Sequence, residues 1–127
     1  MRVRWAAVLL LVVLGGCSWL SGSRKYSVYF EPYSAELDRQ AHQTIDDAAK
    51  FAEAHPMQPI AVDGFAGQPD PKRDVDGLSA QRAEAVKQAL VSDGLFPGRI
   101  TTAANGVVDP KGLPGVAVRR VDIGVGQ

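Results

Sequence analysis

From Leu37 onward the apolar residues fall at Leu37, Ala41, Ile45, Ala48 and Ala52, the single stripe of an amphipathic helix. Ser34 is the expected N-cap. Pro56 closes the pattern near His55, because a proline disfavours helical geometry in the residue before it. Such a stripe has to be covered by another element, and the neighbouring segments read as strands. Segment 26–31 (YSVYFE) places Tyr26, Val28 and Phe30 on one face, and Pro32 ends it. Segment 60–65 (IAVDGF) is a second strand after Pro59. A polar loop, 66–77 (AGQPDPKRDVDG), leads into a second helix over 78–93. That helix carries Ala83, Val86, Ala89 and Leu90, has Asp74 or Asp76 as its cap, and stops at Gly94. Segments 100–105 and 117–125 are two further strands, the last alternating Val121, Ile123 and Val125 against Arg120, Asp122 and Gly124. The order β-α-β-α-β-β predicts an α/β (α+β) sandwich with both helices on one face of a mixed sheet. Segment 106–115, rich in proline and glycine, joins the last two strands.

Residues 1–17 read MRVRWAAVLLLVVLGGC. Arg2 and Arg4 precede an apolar run over 5–14, and small residues follow, which is the pattern of a secretory signal peptide. Ten residues span about 15 Å as a helix, roughly half a bilayer core, so a lasting transmembrane helix is not expected. Leu14-Gly15-Gly16-Cys17 resembles the lipobox of bacterial lipoproteins, which implies removal of 1–16 and lipidation (palmitate among the acyl chains) at Cys17. The alternative is cleavage further on, for example after Ser23, with Cys17 discarded. Cys17 is the only cysteine, so no internal disulfide is expected and stability must come from a packed core. Residues 17–25 then form a lipidated tether, of which 18–25 extend at most about 30 Å. Lysine plus arginine and aspartate plus glutamate each total 14. That balance gives no electrostatic case for nucleic acid or for attraction to anionic lipid.

Several short stretches carry a resemblance. Val28-Tyr29-Phe30-Glu31 with Ser34-Ala35-Glu36-Leu37, then Ile60-Ala61-Val62-Asp63-Gly64, resemble the start of the OmpA-like C-terminal domain. Leu78-Ser79-Ala80-Gln81-Arg82-Ala83-Glu84-Ala85-Val86 is similar to that family's L-S-x-x-R-A-x-x-V helix opening, and Arg119-Arg120-Val121-Asp122-Ile123 to its R-R-V-x-I strand. The resemblance implies one OmpA-like domain over 26–127. The family includes the peptidoglycan-associated lipoproteins, whose domains bind the diaminopimelate-bearing peptide of peptidoglycan without covalent chemistry. In lipoproteins of that type, Ser18 after the cysteine favours release to the outer membrane, on its periplasmic face.

A diaminopimelate pocket needs a cation for a carboxylate and a carboxylate for an ammonium. Arg82 suits the first role, because a guanidinium holds a carboxylate in bidentate fashion. Helical side chains lean toward the N-terminus, so Arg82 points back over the 66–77 loop and the unpaired N–H groups of the helix start. The alternative is a structural salt bridge with Asp74 or Asp76. For the second role the family usually has a T-D pair whose aspartate lies fifteen residues before the arginine; here Ala66 and Gly67 stand at those positions. Val75 and Val118 likewise stand where the family has asparagines. Asp70, Asp74 or Asp76 is a substitute carboxylate, unless these are solvated loop residues and a helix cap. On this alignment Gly67→Asp is expected to strengthen wall binding.

The remaining polar residues read as structural. Arg119 and Arg120 point to opposite strand faces. Arg120 pairs with Asp122, and Arg119 takes its head to water at the strand end. Tyr29 and Tyr33 either rim the site or pack near the first strand's end. His42 and His55 lack a second ligand at metal spacing, so neither a metal nor a cofactor is expected. No nucleophile–base pair or carboxylate pair points to an enzyme. The expected function is an outer-membrane lipoprotein that links membrane to peptidoglycan. The alternative is an envelope scaffold of the same fold that has lost that site and serves a protein partner.

Overall fold

The computed structural model describes residues 22–67 and 75–127. Four strands and two helices follow one another as β1 (Arg24–Tyr29), α1 (Arg39–Ala54), β2 (Ile60–Gly64), α2 (Asp76–Ser92), β3 (Ile100–Ala104) and β4 (Arg120–Val125). The sheet order is β1-β4-β2-β3, so the final strand lies between the first two. β4 is antiparallel to both β1 and β2, whereas β2 and β3 are parallel. A parallel pair needs a crossover connection, and α2 supplies it. This is the expected mixed sheet with two helices.

Period-two alternation decides which side of the sheet is covered. Val28, Ile60, Val62, Val121, Ile123 and Val125 are all at most 1% exposed and form one core with α1 and α2. α1 contributes Ala41, Ile45, Ala48, Ala49 and Ala52; α2 contributes Ala83, Val86 and Leu90. The small alanines let the helices approach closely. Gly64 is the tightest such contact: a Cβ there would stand 2.1 Å from the Ser79 carbonyl oxygen, so α2 is pressed directly onto the end of β2. On the other sheet face Asp122 is only 4% exposed. Ser27 Oγ donates to it at 2.7 Å, Arg120 Nε lies 3.1 Å away and Lys25 Nζ 3.2 Å away, so the Arg120–Asp122 pairing expected from the sequence is present.

Several boundaries move for reasons the backbone makes plain. Asp38, not Ser34, caps α1, accepting from Ala41 N at 2.7 Å. Ser34 instead accepts from Glu36 N in a local turn that Tyr33 enters with a φ of 58°. Val75 stands at the N-cap of α2 without a side-chain bond, and Asp76 becomes the first helical residue. β4 starts at Arg120 rather than at residue 117, because Gly115–Val118 form a 3-10 turn. β1 starts at Arg24, two residues before the expected strand. Cys17, Asp70 and Asp74 lie outside the described residues. Among the described residues no helix is long and apolar enough to cross a membrane.

Candidate functional site

The end of β1, the end of β2, the first turns of α2 and the start of β4 converge at one edge of the domain. Arg82 lies in the second turn of α2, with its side chain directed toward the helix start as such side chains lean. It is completely buried. Its Nε donates to Ser34 O at 2.8 Å, Nη1 to Phe65 O and Ala66 O at 3.0 Å each, and Nη2 to Glu31 O at 3.2 Å. The guanidinium also sits 5.2 Å from the Phe30 ring centre. It therefore ties the 31–34 turn to the segment leaving β2, through neutral carbonyls. Burial, with a further push from the Arg119 charge, lowers its pKa to about 10. It stays protonated at neutral pH, and the cost of that buried charge is met by four backbone oxygens.

Arg119 approaches from the opposite side, in the residue between the 3-10 turn and β4. Its Nε donates to Phe30 O at 3.1 Å, and its own carbonyl accepts from Phe30 N at 2.9 Å. Its stem runs over Gly67. A Cβ on Gly67 would stand 3.1 Å from Arg119 Cγ and 3.8 Å from Val118 Cγ2. Gly67 also has a φ of 95°, in the left-handed region that glycine tolerates best. It bridges to Val107, and its carbonyl accepts from Val108 N. A Gly67→Asp change thus meets both backbone strain and the arginine stem.

Two cavities flank Arg119. The smaller, about 100 Å³, is lined by Pro32, Tyr33, Ala66, Val75, Gly115 and Arg119. The larger, about 320 Å³, runs along the outer edge of β1 past Tyr29 and Glu31 to Asp38, and Arg119 closes it. Tyr29 and Tyr33 are each about half exposed and line one cavity apiece. Of the residues singled out in the sequence, Arg82 and Gly67 are brought to the same edge. Arg82 donates to the carbonyl of Ala66, the residue next to Gly67. Arg119, expected as a strand-end cation reaching water, is instead half-buried and lines both cavities. The R-R pair marked it as a charge near the fold's end, but its approach to Gly67 depends on the β1–β4–β2 pairing. Among the described residues no group of three or more histidine, cysteine, aspartate or glutamate side chains could hold a metal ion.

The OmpA family profile matches residues 29–121. The outer membrane porin F of Pseudomonas fluorescens is 36% identical over 103 residues, covering 77% of this chain. The chain spans about a third of that protein's length (32%). Among solved structures, the peptidoglycan-associated lipoprotein of Burkholderia pseudomallei superposes with a TM-score of 0.70 at 25% identity, covering 79% of this chain and 89% of that one. The OmpA-like domain of FopA1 from Francisella tularensis superposes with a TM-score of 0.66 at 21% identity, covering 81% of this chain and 71% of that one. It shares the fold.

Proposed function

The chain belongs to the OmpA family, and from that premise we propose that it is a lipid-anchored envelope protein whose domain binds peptidoglycan non-covalently. The observation that carries the reading is the pair of arginines at one edge of the fold. Arg119 lines a small cavity, and the buried Arg82 adds its charge from behind, a field that suits an anionic group of a wall peptide. The likeness to a peptidoglycan-associated lipoprotein supports it, as does Cys17 after a signal-like leader. The anchor is on the outer membrane, and several acyl chains would hold it far more firmly than one.

Co-sedimentation tests wall binding. The full chain in mild detergent is expected to pellet with isolated sacculi and to be released by soluble muropeptides; a chain that stays in the supernatant overturns the reading. Labelling cells with a radioactive fatty acid tests the anchor. Label is expected on the wild-type chain and absent from Cys17→Ser; an unlabelled wild type removes the lipoprotein half. A second reading, a scaffold of this fold that serves a protein partner, is favoured by one observation. Ala66, Gly67 and Val75 offer no side-chain carboxylate or amide to a ligand.

A further inference from the structure

We propose, on the premise of the lipid anchor at Cys17, that the end of the domain where β1 begins rests on the bilayer surface. Met57 and Phe96 insert at the interface there, and the arginine edge faces away from the membrane. The sheet gives the domain two ends. Arg24 pairs with Val125, Val125 with Ile60, and Ile60 with Ile100. The starts of β1, β2 and β3 therefore lie side by side with the end of β4. Arg82 and Arg119 reach the opposite end, where β2 runs out, about 20 Å away at the rise of a strand.

Two large apolar side chains stand out from the first end. Met57, between α1 and β2, is 92% exposed, and Phe96, between α2 and β3, is 70% exposed. The backbone beneath them is braced. Arg99 Nη2 donates to Ala52 O, His55 O and Gln58 O at 3.2, 3.0 and 2.9 Å, which ties the turn after Phe96 to the residue after Met57. The Phe96 ring lies over Gly98, where a Cβ would collide with it. Apolar side chains on braced turns lose little order when they enter an interface. The tether decides what covers this end. Gly22 enters β1 here, packed so closely on the His55 ring that a Cβ would collide with it. Cys17 lies five residues earlier, at most about 18 Å of extended chain. The residues between, Ser18-Trp19-Leu20-Ser21, carry no charge that would resist the interface. Two side chains alone bind a bilayer weakly, but the anchor makes their insertion an intramolecular step, so a weak contact suffices.

Quenching in vesicles of phosphatidylethanolamine and phosphatidylglycerol decides this, with the lipidated full chain reconstituted in them. Cys17 is the only native cysteine and is blocked by lipid, so an introduced cysteine takes the fluorophore alone. Gln127→Cys reports the proposed membrane end, and Leu113→Cys, in the connection from β3 to β4, reports the other. Nitroxide-bearing lipids are expected to quench the label at Gln127 at least about twofold more than at Leu113. Adding Met57→Asp and Phe96→Asp should remove at least about half of the quenching at Gln127, with the tether unchanged. Both residues are exposed, so the thermal midpoint and sacculus sedimentation are expected to stay as in the wild type. Equal quenching at the two ends overturns the docking without relying on the acidic variant. So does quenching at Gln127 that the acidic variant leaves unchanged; either result leaves the anchor standing. A chain that carries no fatty acid overturns anchor and docking together. Quenching at Gln127 that fades as the protein is diluted within the bilayer makes a second copy the occupant and overturns the lipid surface.

Discussion

Asp122 and Arg82 are both buried charges in one small domain, but among the described residues only Asp122 meets charge of the opposite sign. On the uncovered sheet face, Asp122 lies between Lys25 and Arg120 and accepts from Ser27 Oγ. That cluster is complete within the protein. At the edge of the fold, Arg82 meets only neutral carbonyls and stands in the field of a second arginine. The difference separates a self-contained charge cluster from one open to a ligand. A closed cluster stabilises strand pairing, while a half-buried arginine that lines a cavity is suited to an anionic ligand.

Replacing each charge tests that contrast. Arg82→Met keeps much of the bulk but leaves the carbonyls of Glu31, Ser34, Phe65 and Ala66 without their donor. A loss of about 4 kcal/mol is expected in urea unfolding, because buried acceptors are stranded together. Asp122→Asn should cost about 2 kcal/mol or less. Its partners lie partly in water, Lys25 being 53% exposed, and can rehydrate. A larger loss at Asp122 than at Arg82 would reverse the ranking.

Gly67→Asp sharpens the comparison at the ligand edge. About 1 kcal/mol of stability should be lost to the left-handed backbone, with no gain in sacculus sedimentation, because the carboxylate would be directed into the Arg119 stem. A well-folded variant that sediments more strongly would show that Arg119 yields its place.

The smallest effect is expected at Asp93, remote from both regions. Partial burial, then a hydrogen bond with Asp46 and the repulsion of Asp46 and Glu53, raise its carboxyl above the ordinary range, against a weaker opposing pull from His42. The folded protein thus keeps a proton that the unfolded chain has already released, so this contribution favours folding at low pH and fades as pH rises through the shifted range. Asp93→Asn should flatten the fall of the thermal midpoint as pH rises above the ordinary aspartate range, and raise the midpoint slightly at neutral pH. An unchanged slope would show that Asp93 does not set it.

The sequence made the sheet legible, because burial against one layer of helices imposes period two, and Val121, Ile123 and Val125 carry it unbroken. The helix stripe from Ala41 to Ala52 was equally plain. The start of α1 was not: Ser34 and Asp38 are both good caps, and a turn at Tyr33 decided between them. The 3-10 turn before β4 was hidden as well, since Val116 and Val118 look like strand residues until the register with β1 and β2 runs out at Arg120 and Val121. At the site, the sequence marked Arg82 and Gly67 and the missing carboxylate. The carbonyl cage around Arg82 was beyond its reach, because residues 31, 34, 65 and 66 meet only after the strands pair. The cover that Arg119 places over Gly67 was hidden for the same reason.

The most direct test of the central claim, that this arginine edge holds the wall through a carboxylate, is displacement from sacculi. Full-length protein bound to sacculi is titrated with N-acetyl-alanyl-alanine or with its C-terminal amide, and the protein in the supernatant is measured. Release by the acid at concentrations at which the amide releases none is the predicted result. Equal release by both, or by neither, would contradict it.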